Sequence, residues 1–324
     1  MRVQFSRMVV GALLAGLTAC GGGGGSSGDG GDGPVIDNRV PITGSNAQAV
    51  TTTVIESVVA VIGFGSVIDA TPVAASSPVT STLHALKPRL GGASYAPVGP
   101  ETMPCAVSGT ITISGNIADP FTLSTGDTIE ADFADCDDGD GVVIDGLFSA
   151  RVEHFEGDLD LIQARVELAI EATDLSVSGD GDTVTADGDF TFVVDTLSAP
   201  LVSVEISGRS LTVSAAGQTV TLQNFSEAQT QNETAVPRPV TFEARGRLSS
   251  SSIGGPVDYS TPVRFEAFDD AFPYTGEFLI VGADESSVRL LALNETNVRL
   301  DVDEDGNGSA ERTIDLLWDE VWAQ

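Results

Sequence analysis

The residues best placed to do chemistry in this chain are carboxylates. From Asp301 to Gly308 the sequence reads Asp-Val-Asp-Glu-Asp-Gly-Asn-Gly. Carboxylates at alternate positions can wrap hard oxygen ligands around a calcium ion, and a glycine at the sixth place permits the sharp turn. On that count Asp301, Asp303 and Asp305 are the candidate ligands and Gly306 the turn residue. The twelfth position, where such a loop needs a carboxylate, is Arg312, and the nearest acid is Glu311. Alternating apolar residues on both sides point to flanking strands. The competing reading is an acidic hairpin turn whose aspartates continue the polar face of a strand. A second cluster, Asp135, Asp137, Asp138 and Asp140, has no oxygen-ligand spacing.

The first run resembles the start of an EF-hand calcium loop, although strands in place of helices would set it apart. Other chemistry has less to stand on. A nucleophile activated by histidine must use His84 or His154, the two histidines of the chain. His154 ends the apolar face of a strand pattern, where a packed or edge histidine is the commoner outcome. Gly24-Gly25-Ser26-Ser27-Gly28 matches G-x-S-x-G but lacks the preceding strand and following helix that a serine hydrolase requires. Carboxylate pairs for a hydrolase can be drawn from 47 acidic residues, which keeps a carboxylate-based hydrolase as the enzymatic alternative. Sugar sites stack on aromatic rings, and aromatics make up 6% of the chain, so that alternative is the weaker one. There is no phosphate loop, dinucleotide fingerprint or CxxC pair. The expectation is a protein that is not an enzyme.

The cysteines point to a compartment. Leu17-Thr18-Ala19-Cys20 follows a basic start (Arg2, Arg7) and an apolar run from Met8 to Leu17. The run has about half of the roughly twenty residues that a membrane span needs. A cleaved export signal fits it better. The stretch resembles the lipobox signal of bacterial lipoproteins, in which small residues precede a cysteine that is acylated after cleavage. The resemblance implies a signal peptide over 1–19 and a mature N-terminus at Cys20 carrying thioether- and amide-linked acyl chains. It further implies an anchor in the cell envelope, and Gly21 in place of an aspartate leans towards the outer membrane of a Gram-negative bacterium. Cys105 and Cys136 then remain, and two cysteines in an oxidising space usually pair. A loop of that length, once closed, stabilises a fold by roughly 3–4 kcal/mol in the chain-entropy model. Zinc, the other use of two cysteines, needs two further nitrogen or sulfur ligands.

Composition narrows the partners. Fifteen basic residues against 47 acidic ones leave a formal charge of −32, which repels phosphate backbones and excludes nucleic-acid binding. A hydrophobic fraction of 41% still describes a folded chain with an acidic shell. Such a shell attracts divalent cations.

Those residues must be positioned by elements of two kinds. After a Gly/Ser/Asp tether over 20–34, with the composition of a flexible coil, Val50, Val54, Val58 and Ile62 recur every fourth residue. That spacing predicts a helix over 46–63, capped by Ser45 or Asn46, against β-branched content that would suit a strand. Glu56 in its middle argues against a membrane span. Residues 70–104, with six prolines and the solvated His84, Lys87 and Arg89, read as linker, so that 35–104 forms a helix-plus-linker region.

From Cys105 the period changes to two. Ile162, Ala164, Val166, Leu168 and Ile170 share one face against Gln163, Arg165, Glu167 and Glu171, and Val298, Leu300 and Val302 repeat the pattern. One apolar face means antiparallel strands covering a core on one side. Strands are predicted at 107–115, 127–135, 142–154, 161–177, 183–195, 200–214, 218–227, 239–250, 261–268, 276–282, 287–303 and 311–320. Asp-Gly pairs at Asp138-Gly139, Asp180-Gly181 and Asp305-Gly306 mark hairpin turns. Trp318 shares a face with Ile314 and Leu316 and belongs to the core.

The expected fold is therefore mainly β: a large antiparallel meander over 105–324, curled into a barrel, half-barrel or sandwich, with one short N-terminal helix. A curled sheet with a helix in its mouth is similar to the half-barrel envelope lipoproteins that carry lipids or lipoproteins. The block from Pro273 and Gly276 through Trp318-Asp319-Glu320 loosely resembles uncharacterised β-rich outer-membrane lipoproteins of Gram-negative bacteria, for which no activity is implied. The expected role is a non-enzymatic binding or structural module in the envelope. Its partners would be the membrane, through the lipid anchor, and a lipid, an envelope polymer or an envelope protein. The alternatives are a half-barrel carrier of a hydrophobic ligand and a calcium-dependent adhesion or assembly factor. Calcium is the one cofactor implied.

Overall fold

Fourteen strands follow one another in a single antiparallel sheet whose spatial order is their order in the chain. The computed structural model describes residues 37–65, 98–118, 124–137, 139, 141–158, 163–179, 182–215, 217–269 and 271–322. The signal peptide, Cys20, the tether, His84, Lys87, Arg89 and Ile162 lie outside these residues.

The strands are β1 (Val98–Pro104), β2 (Ser108–Asn116), β3 (Thr128–Asp137), β4 (Val142–Asp158), β5 (Gln163–Gly179), β6 (Asp182–Asp195) and β7 (Leu201–Ala215). They continue as β8 (Gln218–Asn232), β9 (Pro239–Ser250), β10 (Gly255–Phe268), β11 (Thr275–Val281), β12 (Ser287–Ala292), β13 (Asn297–Asp303) and β14 (Arg312–Leu317). Helix α1 runs Ala47–Gly65, and a short α2 runs Trp318–Val321. A meander arises because each strand pairs with the next through a tight turn, so no crossover has to be threaded.

The predicted meander and helix are both present. Three expectations need correction. The strand read as 287–303 is two, β12 and β13, separated by a turn in which Asn294 Oδ1 accepts the Thr296 and Asn297 backbone N–H groups. Residues 98–104, assigned to the linker, form β1, and Pro100 and Pro104 are tolerated there because β1 is an edge strand paired only with β2. The last strand stops at Leu317, where α2 begins, because the Trp318 side chain is drawn into the core.

The sheet is curled but not closed, and among the described residues β1 and β14 are its edges. Helix α1 packs on β7, β8 and β9 and also on β12, β13 and α2, which requires the sheet to wrap around it. Its buried side is Ala47, Val50, Thr51, Val54, Ile55 and Val58, which includes three of the four predicted stripe residues; the side chain of the fourth, Ile62, lies outside those described. The inward rows of the strands join that stripe in one continuous core. Phe133, Phe148, Phe278, Leu211, Leu248 and Trp318 are each less than 2% exposed within it.

Curvature comes from a line of bulges that crosses the long strands. Register shifts fall between Phe133 and Cys136, Asp145 and Leu147, Ala172 and Leu175, and Gln223 and Ser226. At each bulge the strand bends and its twist increases. Asp135, Asp174 and Asn224 sit there in the left-handed region, at φ 50, 48 and 46. Gly146 is needed on the same line, since a Cβ would lie 2.4 Å from the Asp174 carbonyl oxygen.

The segment before α1 is stitched to one end of the sheet. Val40 donates its N–H to the Pro256 carbonyl and accepts from Ala283, while the Ile42 N–H reaches Ser286 Oγ at 2.9 Å. Arg39 pairs with Asp37 at 2.7 Å, Glu285 at 2.8 Å and Asp258 at 3.2 Å. Arg39 holds the Asp37 carboxyl far below the usual carboxylate range.

Candidate metal centre

The β13–β14 hairpin carries the acidic run. Asp303 ends β13 with its residue buried, 7% exposed, and the loop returns at Glu311, whose N–H donates to the Val302 carbonyl. Burial of an aspartate demands partners, and the loop provides them. Asp303 Oδ1 accepts the Gly306 and Asn307 N–H groups at 2.8 and 3.2 Å, and Oδ2 accepts the Gly308 N–H at 2.7 Å. The Asn307 N–H also lies 3.1 Å from Asp305 Oδ1, and the Ser309 N–H 2.8 Å from Asn307 Oδ1. Gly306 and Gly308 take positive φ, 72° and 85°, where the loop reverses.

One carboxylate oxygen from each of Asp303, Asp305 and Glu311 lies within 4.8 Å of the others. Three like charges so close repel one another unless a cation or protons intervene. The donors are all oxygen, which suits calcium or magnesium and not zinc.

The structure places two of the three sequence-predicted ligands, Asp303 and Asp305, in this group. Asp301 stands outside it, on the strand, where its Oδ1 accepts the Thr313 hydroxyl at 2.9 Å. The residue missed is Glu311, and the reason is a shift of register. Counted from Asp303, the run is Asp303-x-Asp305-x-Asn307-Gly308, with the glycine sixth and Glu311 ninth. The motif for alternating oxygen donors is met better from this start than from Asp301. Asn307, Gly308 and Glu311 carry the signal in the sequence, but the Asp-Gly pair at 305–306 offers an equally spaced glycine for a start two residues earlier. The twelfth position becomes Ile314, a β14 residue, so the loop lacks the bidentate glutamate of an EF-hand.

The loop also touches the segment before the helix. The Gly44 N–H donates to Glu304 Oε1 at 3.0 Å, Arg312 Nη1 donates to the Gly44 carbonyl at 3.1 Å, and the Glu304 N–H reaches Glu311 Oε2 at 2.7 Å. The hairpin thus connects the start of α1 to the last strand pair.

The other candidates that are described stand apart from this group. Cys105 and Cys136 are disulfide-bonded, with Cα atoms 5.5 Å apart, tying the β1–β2 turn to β3. Asp137 closes its turn through the Gly139 N–H, and Asp135 is a bulge residue; Asp138 and Asp140 lie outside the described residues. His154 is exposed on β4 beside Glu156, with nitrogen and oxygen 3.7 Å apart. Trp318 is buried; its Nε1–H donates to the Pro273 and Asn294 carbonyls, and Phe272 stacks on the ring at 5.8 Å. A depression of about 530 Å³ crosses the polar side of β2–β6, with Glu130, Ser149, Arg151, Glu171 and Asp189 in its lining. Ile129 and Ile170 also line it, so the depression mixes charged and apolar groups where a hydrophobic-ligand cavity would be walled by Ile, Val, Leu and Phe throughout. Among the described residues no helix is long and apolar enough to cross a membrane, which says nothing of spanning by strands.

No family model matches this chain, and neither a curated protein nor a solved structure matches it.

Proposed function

We propose that this chain is a lipid-anchored module of the bacterial envelope that acts by binding or by bearing structure, and not by catalysis. The observation that carries the reading is the seam at residues 39–44. There the N-terminal segment is hydrogen-bonded in turn to the start of β10, the β11–β12 turn and the β13–β14 hairpin. A pull on the chain upstream is spread over several strand pairs and does not peel one edge strand, which suits a body held by its N-terminus. The anchor itself is the Cys20 thioether and amide implied by the lipobox resemblance; two or more acyl chains hold a protein stably on a bilayer. In the native host, metabolically labelled palmitate is expected on the protein, with the protein in the membrane fraction. Cys20→Ser is expected to lose the label and leave the membrane. Labelled or membrane-bound Cys20→Ser protein would overturn the reading.

A second reading is favoured by one observation, the convergence of Asp303, Asp305 and Glu311. Here the module is a calcium-dependent assembly or adhesion factor, with the ion held within the β13–β14 hairpin, whose Glu304 and Arg312 contact Gly44 before α1. Few carboxylates and one exposed side put the affinity on the order of 10⁻⁴ to 10⁻³ M, as in extracellular modules. Calcium at about ten times its dissociation constant would raise stability by about 1.4 kcal/mol. The expected result is a calcium-dependent rise in Tm that is lost in Glu311→Gln and in Asp305→Asn. An equal rise in those variants, or none in the wild type, would discard it.

A further inference from the structure

Inside the sheet, one acidic side chain stands apart. Glu227 of β8 is 1% exposed and shares the buried face of its strand with Leu222 and Phe225. Across the ladder it is opposite Ile206 on β7 and Ala244 on β9, both buried. Its Oε1 accepts one hydrogen bond, from the Tyr259 hydroxyl of β10 at 3.3 Å, and its Oε2 has no hydrogen-bond partner. The tyrosine reaches it by crossing β9 at Gly246, where a Cβ would lie 2.9 Å from the hydroxyl oxygen. Phe278 stacks on the tyrosine ring at 5.9 Å and closes the other side.

An ionised carboxylate with one hydrogen bond in such a place has lost most of its hydration, and among the described residues no cation pairs with it. Nearby charges do not help. Glu205 and Glu243 sit on the opposite, exposed face of the sheet, and Arg247 is paired with Asp258 at 2.7 Å. Helix α1, packed on β7–β9, contributes one ionisable residue, Glu56, whose charge has the same sign. We propose that Glu227 and Tyr259 form a proton-holding latch: the Glu227 carboxyl stays protonated in the folded protein, and loss of that proton loosens β8–β10 and the seat of α1.

Burial pushes the Glu227 carboxyl well above the ordinary carboxylate range, and the Tyr259 hydrogen bond opposes that push without cancelling it. The sign of the linkage follows. An acid whose folded value is raised binds a proton on folding, so stability falls as pH rises from its unfolded value, roughly 4.3, to its folded value. One proton corresponds to a tenfold change in the opening equilibrium per pH unit in that window.

The test is amide hydrogen exchange of the full chain against pH, corrected for intrinsic exchange, with infrared spectra of the same samples. Protection over β8–β10 is expected to fall about tenfold per pH unit in the wild type, and this decline is expected to vanish in Glu227→Gln. The neutral-pH spectrum should contain a protonated-carboxyl carbonyl band that Glu227→Gln lacks. Tyr259→Phe, which removes the hydrogen bond favouring the charged form, should leave the start of the decline unchanged and extend it to higher pH, and it decides the matter if Glu227→Gln does not fold. The proposal is overturned if Glu227→Gln keeps the wild-type pH dependence, if the band is absent, or if Tyr259→Phe leaves the upper limit of the decline where it is in the wild type.

Discussion

At the scale of residues, small differences in position separate ligands from bystanders. Asp301 and Asp303 are two apart and look alike in the sequence, yet Asp301 accepts a hydroxyl on the strand while Asp303 gathers three backbone N–H groups in the loop. The same holds for glycines. Gly246 is where the Tyr259 hydroxyl passes to Glu227, and a methyl group would stand 2.9 Å from both that oxygen and Phe225 Cβ. Gly246→Ala is expected to destabilise the protein by about 1–3 kcal/mol, the usual effect of overpacking. Urea unfolding would measure this, and a midpoint equal to the wild type would show that Phe225 and Tyr259 give way freely.

At the scale of elements, the disulfide and the bulges do different work on neighbouring strands. Cys136 follows directly on the bulge residue Asp135, and its bond to Cys105 pins the β1–β2 turn against β3 at a free end of the sheet. Among the described residues no strand lies beyond β1 to hold that end. Replacing both cysteines by serine is expected to cost about 3–4 kcal/mol from the loss of a cross-link over 31 residues. Exchange should rise in β1–β3 before it rises in β11–β13. Uniform loss of protection across the sheet would show instead that the cross-link acts through the unfolded chain alone.

At the scale of the whole molecule, the period-two stretches near Ile170 and Leu300 were enough to foretell a meander, because alternation reports directly which side of a strand meets water. The spacing of Val50, Val54 and Val58 foretold α1 in the same way. The pairing of Cys105 with Cys136 was legible by elimination, and the acidic loop by its alternating carboxylates. Three things were not. The bulges put Phe133 and Cys136, or Leu222 and Phe225, on one face at a spacing of three, and local propensity carries no sign of which strand must bend. Glu227 reads as one more polar residue in a strand, and only the packing of β7, β9 and the Tyr259 ring around it removes it from water. The meeting of Glu311 with Asp303 depends on the register of β13 against β14, set by Val302 opposite Arg312. Side-chain period is a property of one strand and is written in the sequence; closure, bend and burial are properties of strands packed against one another, and they exist only in the folded sheet.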